Sequence, residues 1–119
     1  MDKMQALHSF WSSFGWKAYN ENSIPDNAVL PYITYEAGTD SFGYPIALAA
    51  SLFCRDTGWA TLVNKAEQIK IRIDSEPYIN YDGGAIRIMR ASPWVNDGSD
   101  STDDTILIKR LNIMAEFLD

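Results

Sequence analysis

The amino-acid sequence predicts an α+β fold, with a mainly antiparallel sheet of four to five strands packed against two amphipathic helices. Three observations indicate this fold. Two segments repeat apolar residues at helical spacing, several short segments are rich in β-branched and aromatic residues, and an Asp-Gly-Gly turn joins two of those short segments. The elements follow in the order α-β-β-α-β-β-β. A chain of 119 residues with 46% hydrophobic content suits a single domain over 1–119.

The first helix is predicted over about 1–19. Its apolar residues recur at the spacing of one helix face: Met4, Leu7, Trp11, Phe14 and Ala18. The segment "NENSIPDNA" follows, and its Asn, Ser and Pro residues favour turns. We therefore expect the helix to end there.

Two strands are predicted next. In "VLPYITYE" (29–36) Ile33 and Tyr35 alternate with more polar neighbours, which is typical of a strand with one face open to water. After the turn "AGTDSFGY", the run "PIALAASLFCRD" (45–56) alternates little. That pattern is typical of a central strand covered on both faces.

The second helix is predicted over Thr57 to Asp74. Its apolar residues are spaced by three and four: Trp59, Leu62, Val63, Ala66, Ile69 and Ile73. Asp56 or Thr57 is the expected N-cap, and Pro77 follows the end of the helix, where it cannot extend the helix.

The C-terminal third predicts a hairpin, an acidic loop and a last strand. Asp82 and Gly83 lie between two β-rich segments and are typical of a tight hairpin turn. A polar loop follows at about 95–104. In "TILIKRLNIMAEFLD" the apolar residues Leu107, Leu111 or Ile113, and Phe117 alternate imperfectly with Lys109 and Arg110. A bulge near Lys109-Arg110, or a helical end, remains open as an alternative.

The overall charge and the cysteine content exclude some classes of function. Ten basic and sixteen acidic residues give a net charge of -6, which opposes sequence-specific or coating contact with nucleic acid. Cys54 is the only cysteine, so no internal disulfide forms, and a reducing, cytoplasmic setting is expected. The longest apolar stretch is too short to span a membrane, and "MDKMQALHSF" lacks the features of a secretory signal, so we expect the mature chain to begin near Met1.

Catalytic and metal-binding motifs are not found in the sequence. His8 is the only histidine, and no nucleophile or orienting partner accompanies it. One His and one Cys cannot supply the three or four ligands that zinc prefers. The glycines of "DGGAIR" lack the spacing of a phosphate-binding loop. We therefore expect no enzyme, no cofactor and no metal site.

The acidic segment "WVNDGSDSTDDT" is the strongest remaining candidate site. It holds Asp97, Asp100, Asp103 and Asp104, but the spacing and the missing terminal Glu do not match a calcium loop. A solvated connector is favoured. Two alternatives remain open: a metal-dependent enzyme that uses these aspartates, and a small-molecule or peptide-binding domain. The second would have an aromatic pocket on the sheet around four tyrosines: Tyr32, Tyr35, Tyr78 and Tyr81.

Four segments together resemble a known family, the tail-terminator and tail-completion proteins of long-tailed bacteriophages and of prophages in Gram-positive bacteria. The resemblance covers residues 28–118 and includes the Pro93-Trp94 pair that follows the Gly-Gly hairpin. The segments are "VLPYITYE", "IALAASLFCRDTGWATLVNKAEQI", "INYDGGAIRIMRASPWV" and "DDTILIKRLNIMAEFL".

The resemblance implies a minor structural protein of the virion tail. Such proteins form rings, commonly hexameric, that end the growing tail tube and join it to the head connector. The expected partners are further copies of the chain, tail-tube proteins and connector proteins, first in the host cytoplasm and then in the virion tail. Trp94 would anchor an interface or channel loop that carries Asp97, Asp100, Asp103 and Asp104.

Overall fold

The computed structural model describes residues 1–38, 44–55, 58–99, 103 and 105–118. These residues form an α+β fold, which confirms the predicted class. The elements in chain order are α1 (Lys3–Ser12), β1 (Lys17–Asn20), β2 (Tyr32–Tyr35), β3 (Ile46–Arg55), α2 (Trp59–Ser75), β4 (Tyr78–Tyr81), β5 (Gly84–Ser99) and β6 (Ile106–Leu118).

The strands form one mixed sheet in the order β1-β2-β3-β6-β5-β4. The β1 and β2 strands are parallel, and the other neighbouring strands are antiparallel. The sheet has six strands within the described residues, so the expected four to five strands were too few. The additional strand is β1, in a segment that the apolar spacing had assigned to the first helix.

Helix α1 ends earlier than the predicted 1–19 because its last turn is closed at Ser13. The hydroxyl and the backbone N–H of Ser13 both donate to the carbonyl of Phe10. Gly15 then adopts a φ of 86°, a conformation that glycine takes readily and that leads the chain out of the helix. Phe14 and Ala18 are still buried, but they reach the core from the connection and from β1.

Helix α2 confirms the predicted second helix, with Leu62, Ala66, Ile69 and Ile73 buried. Its N-cap is Gly58, which offers no side-chain hydrogen bond. A Cβ at this position would lie 2.3 Å from the Cys54 sulfur, so the close approach of helix and strand requires glycine. The expected caps, Asp56 and Thr57, lie outside the described residues.

Both helices pack on the same face of the sheet. The core joins their apolar sides to one set of alternating strand residues, including Leu48, Ala50 and Leu52 of β3. The expected cover on both faces of β3 is not found among the described residues, because both described helices lie on one face. Ala49, on the opposite face, is nevertheless buried. Neither described helix is long and apolar enough to cross a membrane.

The last strand is regular. Alternate residues from Leu107 to Phe117 face the helices, so the possible helical end is not found. The irregularity lies in β5, where the pairing with β6 shifts between Arg90 and Val95. The proposed bulge near Lys109-Arg110 was therefore wrong, since the extra residues belong to the partner strand.

The hairpin between β4 and β5 is confirmed. Tyr81 pairs with Gly84, and Gly83 has a φ of 93°. Asp82 and Gly83 thus form the two-residue connection that the sequence predicted.

Candidate interaction surface

The outer edge of β5 is only partly paired. Strand β4 pairs with Gly84 to Arg87, and the N–H of Ile88 donates to the carbonyl of Pro77. Beyond that point, no strand in the described part of the chain pairs with the outer edge of Val95–Ser99. Unpaired strand edges present backbone donors and acceptors that can pair with another chain.

Residues 95–99 of the predicted polar loop at 95–104 belong instead to β5, which continues through Ser99. Val95 resumes the ladder opposite Leu111 after the shift in pairing. Trp94 is half-buried and packs against the core, and its role as an anchor stays a prediction. Asn112 holds the irregular stretch, because its amide nitrogen donates to Pro93 O at 3.1 Å and to Asn96 Oδ1 at 2.8 Å.

Asp97 is not a free loop carboxylate. Its Oδ1 lies 2.6 Å from Lys109 Nζ, and the Lys109 side chain is only 9% exposed against 57% for Asp97. The same ammonium group lies 5.7 Å from the centre of the Trp59 ring. Asp97 therefore neutralises the nearly buried ammonium group of Lys109, which lies beside Trp59 at the start of α2.

One flank of α2 lies beside the unpaired part of β5. Trp59 and Val63 on this flank are 41% and 52% exposed. Further along, Asp74 Oδ1 accepts from Arg90 Nε at 2.8 Å, and this hydrogen bond lowers the pKa of Asp74 and raises that of Arg90. The outer edge of Val95–Ser99 and the side chains of Trp59 and Val63 together form one candidate interaction surface.

Asp103 contacts Arg55 at the end of β3 and Thr105, two residues further along the chain. Its Oδ1 accepts from Thr105 N at 3.0 Å and from Thr105 Oγ1 at 2.6 Å, and its Oδ2 lies 3.4 Å from Arg55 Nη1. The hydrogen bonds from Thr105, and secondarily the Arg55 charge, lower the pKa of Asp103. Asp100 and Asp104, the other predicted residues, lie outside the described residues.

The aspartates that the structure describes do not converge on a common site. Asp97 is bound to Lys109, and Asp103 to Thr105 and Arg55. Among the described residues, no group of three His, Cys, Asp or Glu side chains is placed to hold a metal ion.

The opposite edge of the sheet is β1, which the sequence did not predict. An open groove of about 530 Å³ runs along it, lined by residues that include His8, Trp16, Ala18 and Tyr19. It shares His8 and Ser12 with a wider depression of about 900 Å³ on the flank of α1. The outer edge of Lys17–Asn20 and the groove of about 530 Å³ together form a second candidate interaction surface.

His8 belongs to the wall of this groove. Its Nδ1 lies 2.9 Å from the Tyr35 hydroxyl, and its Nε2 lies 3.3 Å from Ser12 Oγ. A tyrosine phenol is protonated at neutral pH and can donate to the imidazole, and burial raises the pKa of Tyr35 above its ordinary value. The contacts hold α1 against β2.

The four tyrosines of the alternative aromatic pocket do not meet. Tyr35 and Tyr81 are buried on the face that the helices cover. Tyr32 and Tyr78 lie on the other face, in strands β2 and β4, which three strands separate. The predicted pocket was wrong because successive strand residues point to opposite faces.

The comparisons with known proteins add no assignment to this surface. Neither a scan against models of known protein families nor a search of curated protein sequences finds a match.

Proposed function

We propose that the chain is a structural protein of a bacteriophage or prophage virion, a tail terminator or completion factor that assembles as a ring. The ring ends the tail tube and joins it to the head. The resemblance of the four segments supports this proposal. They coincide with β2, with β3 and α2, with the β4-β5 hairpin and with β6, which together make most of the described fold.

The observation that carries the proposal is that one curled sheet leaves β1, and the part of β5 that extends beyond β4, without a strand partner on their outer sides among the described residues. The two edges are unlike, because one lies beside Trp59 and Val63 and the other beside a groove. Contact between two different patches of identical subunits is heterologous, and it forms a closed ring when the rotation between subunits closes. A subunit of this kind therefore needs no catalytic group to act.

The apolar side chains beside β5 favour association. Trp59 and Val63 are large exposed apolar residues on the same flank of one helix. Tryptophan in particular is enriched at protein interfaces, where a large flat ring buries much area. The partners in the proposed function are further copies of the chain, the tail-tube protein and the head-connector proteins.

The charge balance suits a ring through which DNA passes. With sixteen acidic and ten basic residues, the protein has a net charge of -6, which opposes adhesion to phosphate. DNA would then cross the ring without adhering. The proposed locations are the host cytoplasm during assembly and the virion tail afterwards.

Tube growth tests the proposed function. The tail-tube protein of the same phage or prophage is polymerised with and without the purified chain, and tube lengths are measured by electron microscopy. We expect shorter tubes that carry the chain at one end. Tubes of unchanged length, with the chain bound neither to ends nor to walls, would overturn the proposal.

A further inference from the structure

Strand β1 and residues 95–98 of β5, whose outer sides no described strand pairs, lie level with each other. The pairing across the sheet connects Lys17 to Gly98 through three intervening residues: Tyr32, Phe53 and Ile108. Asn20 is connected to Val95 in the same way, through Tyr35, Ala50 and Leu111. The four residues of β1 therefore occupy the same rows as the segment 95–98 of β5.

We infer that the unpaired segment 95–98 of one subunit pairs with β1 of a second copy. This inference rests on the proposed ring, and it names the two surfaces that join. A copy displaced along the rows of the sheet places its Lys17 opposite Gly98 and its Asn20 opposite Val95. Four residues on each side are available for the new ladder, since β1 is four residues long.

The strand directions favour this pairing. Strand β1 is parallel to β2, and three antiparallel steps lead from β2 through β3 and β6 to β5. Strand β5 thus runs opposite to β1, and a displaced copy brings the two strands together as an antiparallel pair. Antiparallel ladders form the more stable and more common type of pairing.

The faces of the sheet also correspond. Ala18 and Asp97 share one row and point to the face that the helices cover. In the joined pair, the helices of both copies lie on the same side. Trp59 and Val63, which flank β5 on that side, then face the groove beside β1 of the neighbour, whose lining includes Trp16 and Ala18.

The row that Lys17 joins leaves room for its side chain. Lys17 is exposed at the end of β1 that comes opposite Gly98, and a Cβ at Gly98 would meet no atom within 4 Å. Lys17 and Asp97 lie on neighbouring rows and therefore point to opposite faces of the sheet.

Disulfide trapping tests the inference. Cys54, the only native cysteine, is replaced by alanine, and cysteines are introduced by Lys17→Cys and Gly98→Cys. A Cβ at Gly98 meets no atom within 4 Å, so a side chain fits there. Paired Cβ atoms on adjacent antiparallel strands lie about 4.5–5.5 Å apart, within reach of a disulfide after a small adjustment.

We expect the double variant to give a ladder of covalent oligomers under oxidation, up to the size of the ring. Each single variant should remain monomeric on a denaturing gel, because the contact joins two different edges. The control pairs Lys17→Cys with Asn80→Cys, which is exposed on β4, and should give no ladder. Native mass spectrometry of the reduced variants checks that folding and assembly are intact.

Two outcomes would overturn the inference in distinguishable ways. If the reduced double variant forms rings but oxidation gives no ladder, or if one single variant dimerises, the edges are wrongly assigned and the proposed function stands. If the wild-type chain forms no ring, alone or on tubes, the proposed function itself fails.

Discussion

Lys109 places its ammonium nitrogen 2.6 Å from Asp97 Oδ1, on the face of the sheet that the helices cover. The pair joins β6 to the part of β5 that follows the irregular stretch, where the strand has no neighbour on its outer side among the described residues. Asp97 therefore stabilises the very segment that we assign to subunit contact.

Replacing the partner of a nearly buried cation should destabilise the fold more than removing the cation. Asp97→Asn leaves Lys109 without a counter-charge and should lower the free energy of unfolding by about 1–3 kcal/mol. Lys109→Met removes the need for a counter-charge and should cost less, since apolar replacements of buried ions are often neutral. Urea denaturation measures both, with the exposed Asp26→Asn as the control. A larger loss for Lys109→Met than for Asp97→Asn would contradict this account.

Asn112 should stabilise the irregular stretch of β5 specifically. Its amide joins Pro93 O and Asn96 Oδ1, so Asn112→Ala removes two hydrogen bonds at once. We expect a loss of about 1–2 kcal/mol in unfolding free energy and faster amide hydrogen exchange in Val95–Ser99. Asn64→Ala, exposed on α2, is the matched control and should change neither quantity. Equal effects of the two substitutions would refute the role assigned to Asn112.

The two sides of α2 should differ in their effect on assembly. Val63 and Ile71 are 52% and 58% exposed, but only Val63 lies on the flank with Trp59. Ile71 lies two residues from both Ile69 and Ile73, which are buried, so it points away from the sheet.

We therefore expect Val63→Asp to abolish ring formation and Ile71→Asp to leave it unchanged. Both variants should keep the thermal stability of the wild type, because both positions are largely exposed. Sedimentation velocity of the three proteins at matched concentrations measures the difference. Normal rings from Val63→Asp would show that this flank is outside the interface.

The pKa of Asp103 reports whether the acidic segment is tied to the fold. Thr105 and Arg55 lower this pKa in the folded state. The resulting stabilisation is present above the unfolded pKa of an aspartate and is lost as pH falls through the depressed folded value. We expect carboxyl NMR to find Asp103 titrating below the ordinary range, and Thr105→Val to move it upward. An ordinary pKa in the wild type would indicate that the contact is absent in solution.

The sequence predicted the elements whose pattern is local and strong. Helix α2 repeats its apolar residues over four turns, and the Asp82-Gly83 connection fits the backbone that a tight hairpin needs. It missed β1 because Phe14 and Ala18 continue the apolar spacing of α1 even though the chain has left the helix at Gly15. Burial of apolar residues looks the same in sequence whether a helix or a strand buries them.

The candidate surface was only partly accessible to sequence analysis. Trp94 and Asp97 were named from the sequence as parts of the interface or channel loop that the family resemblance implies. Lys109 shares its face with Leu107 and Leu111, and its charge pairing with Asp97 makes this burial tolerable. That pair and the alignment of the two edges depend on strand register, which a single sequence does not contain.

Native mass spectrometry of the wild-type chain over a range of concentrations tests the central claim most directly. Assembly through two unlike edges predicts one discrete closed species, expected at six copies from the family resemblance. It does not predict a series of oligomers with only even copy numbers, which would indicate that dimers are the building blocks. A chain that stays monomeric at every concentration, and also fails to bind the ends of tail tubes, would contradict the account.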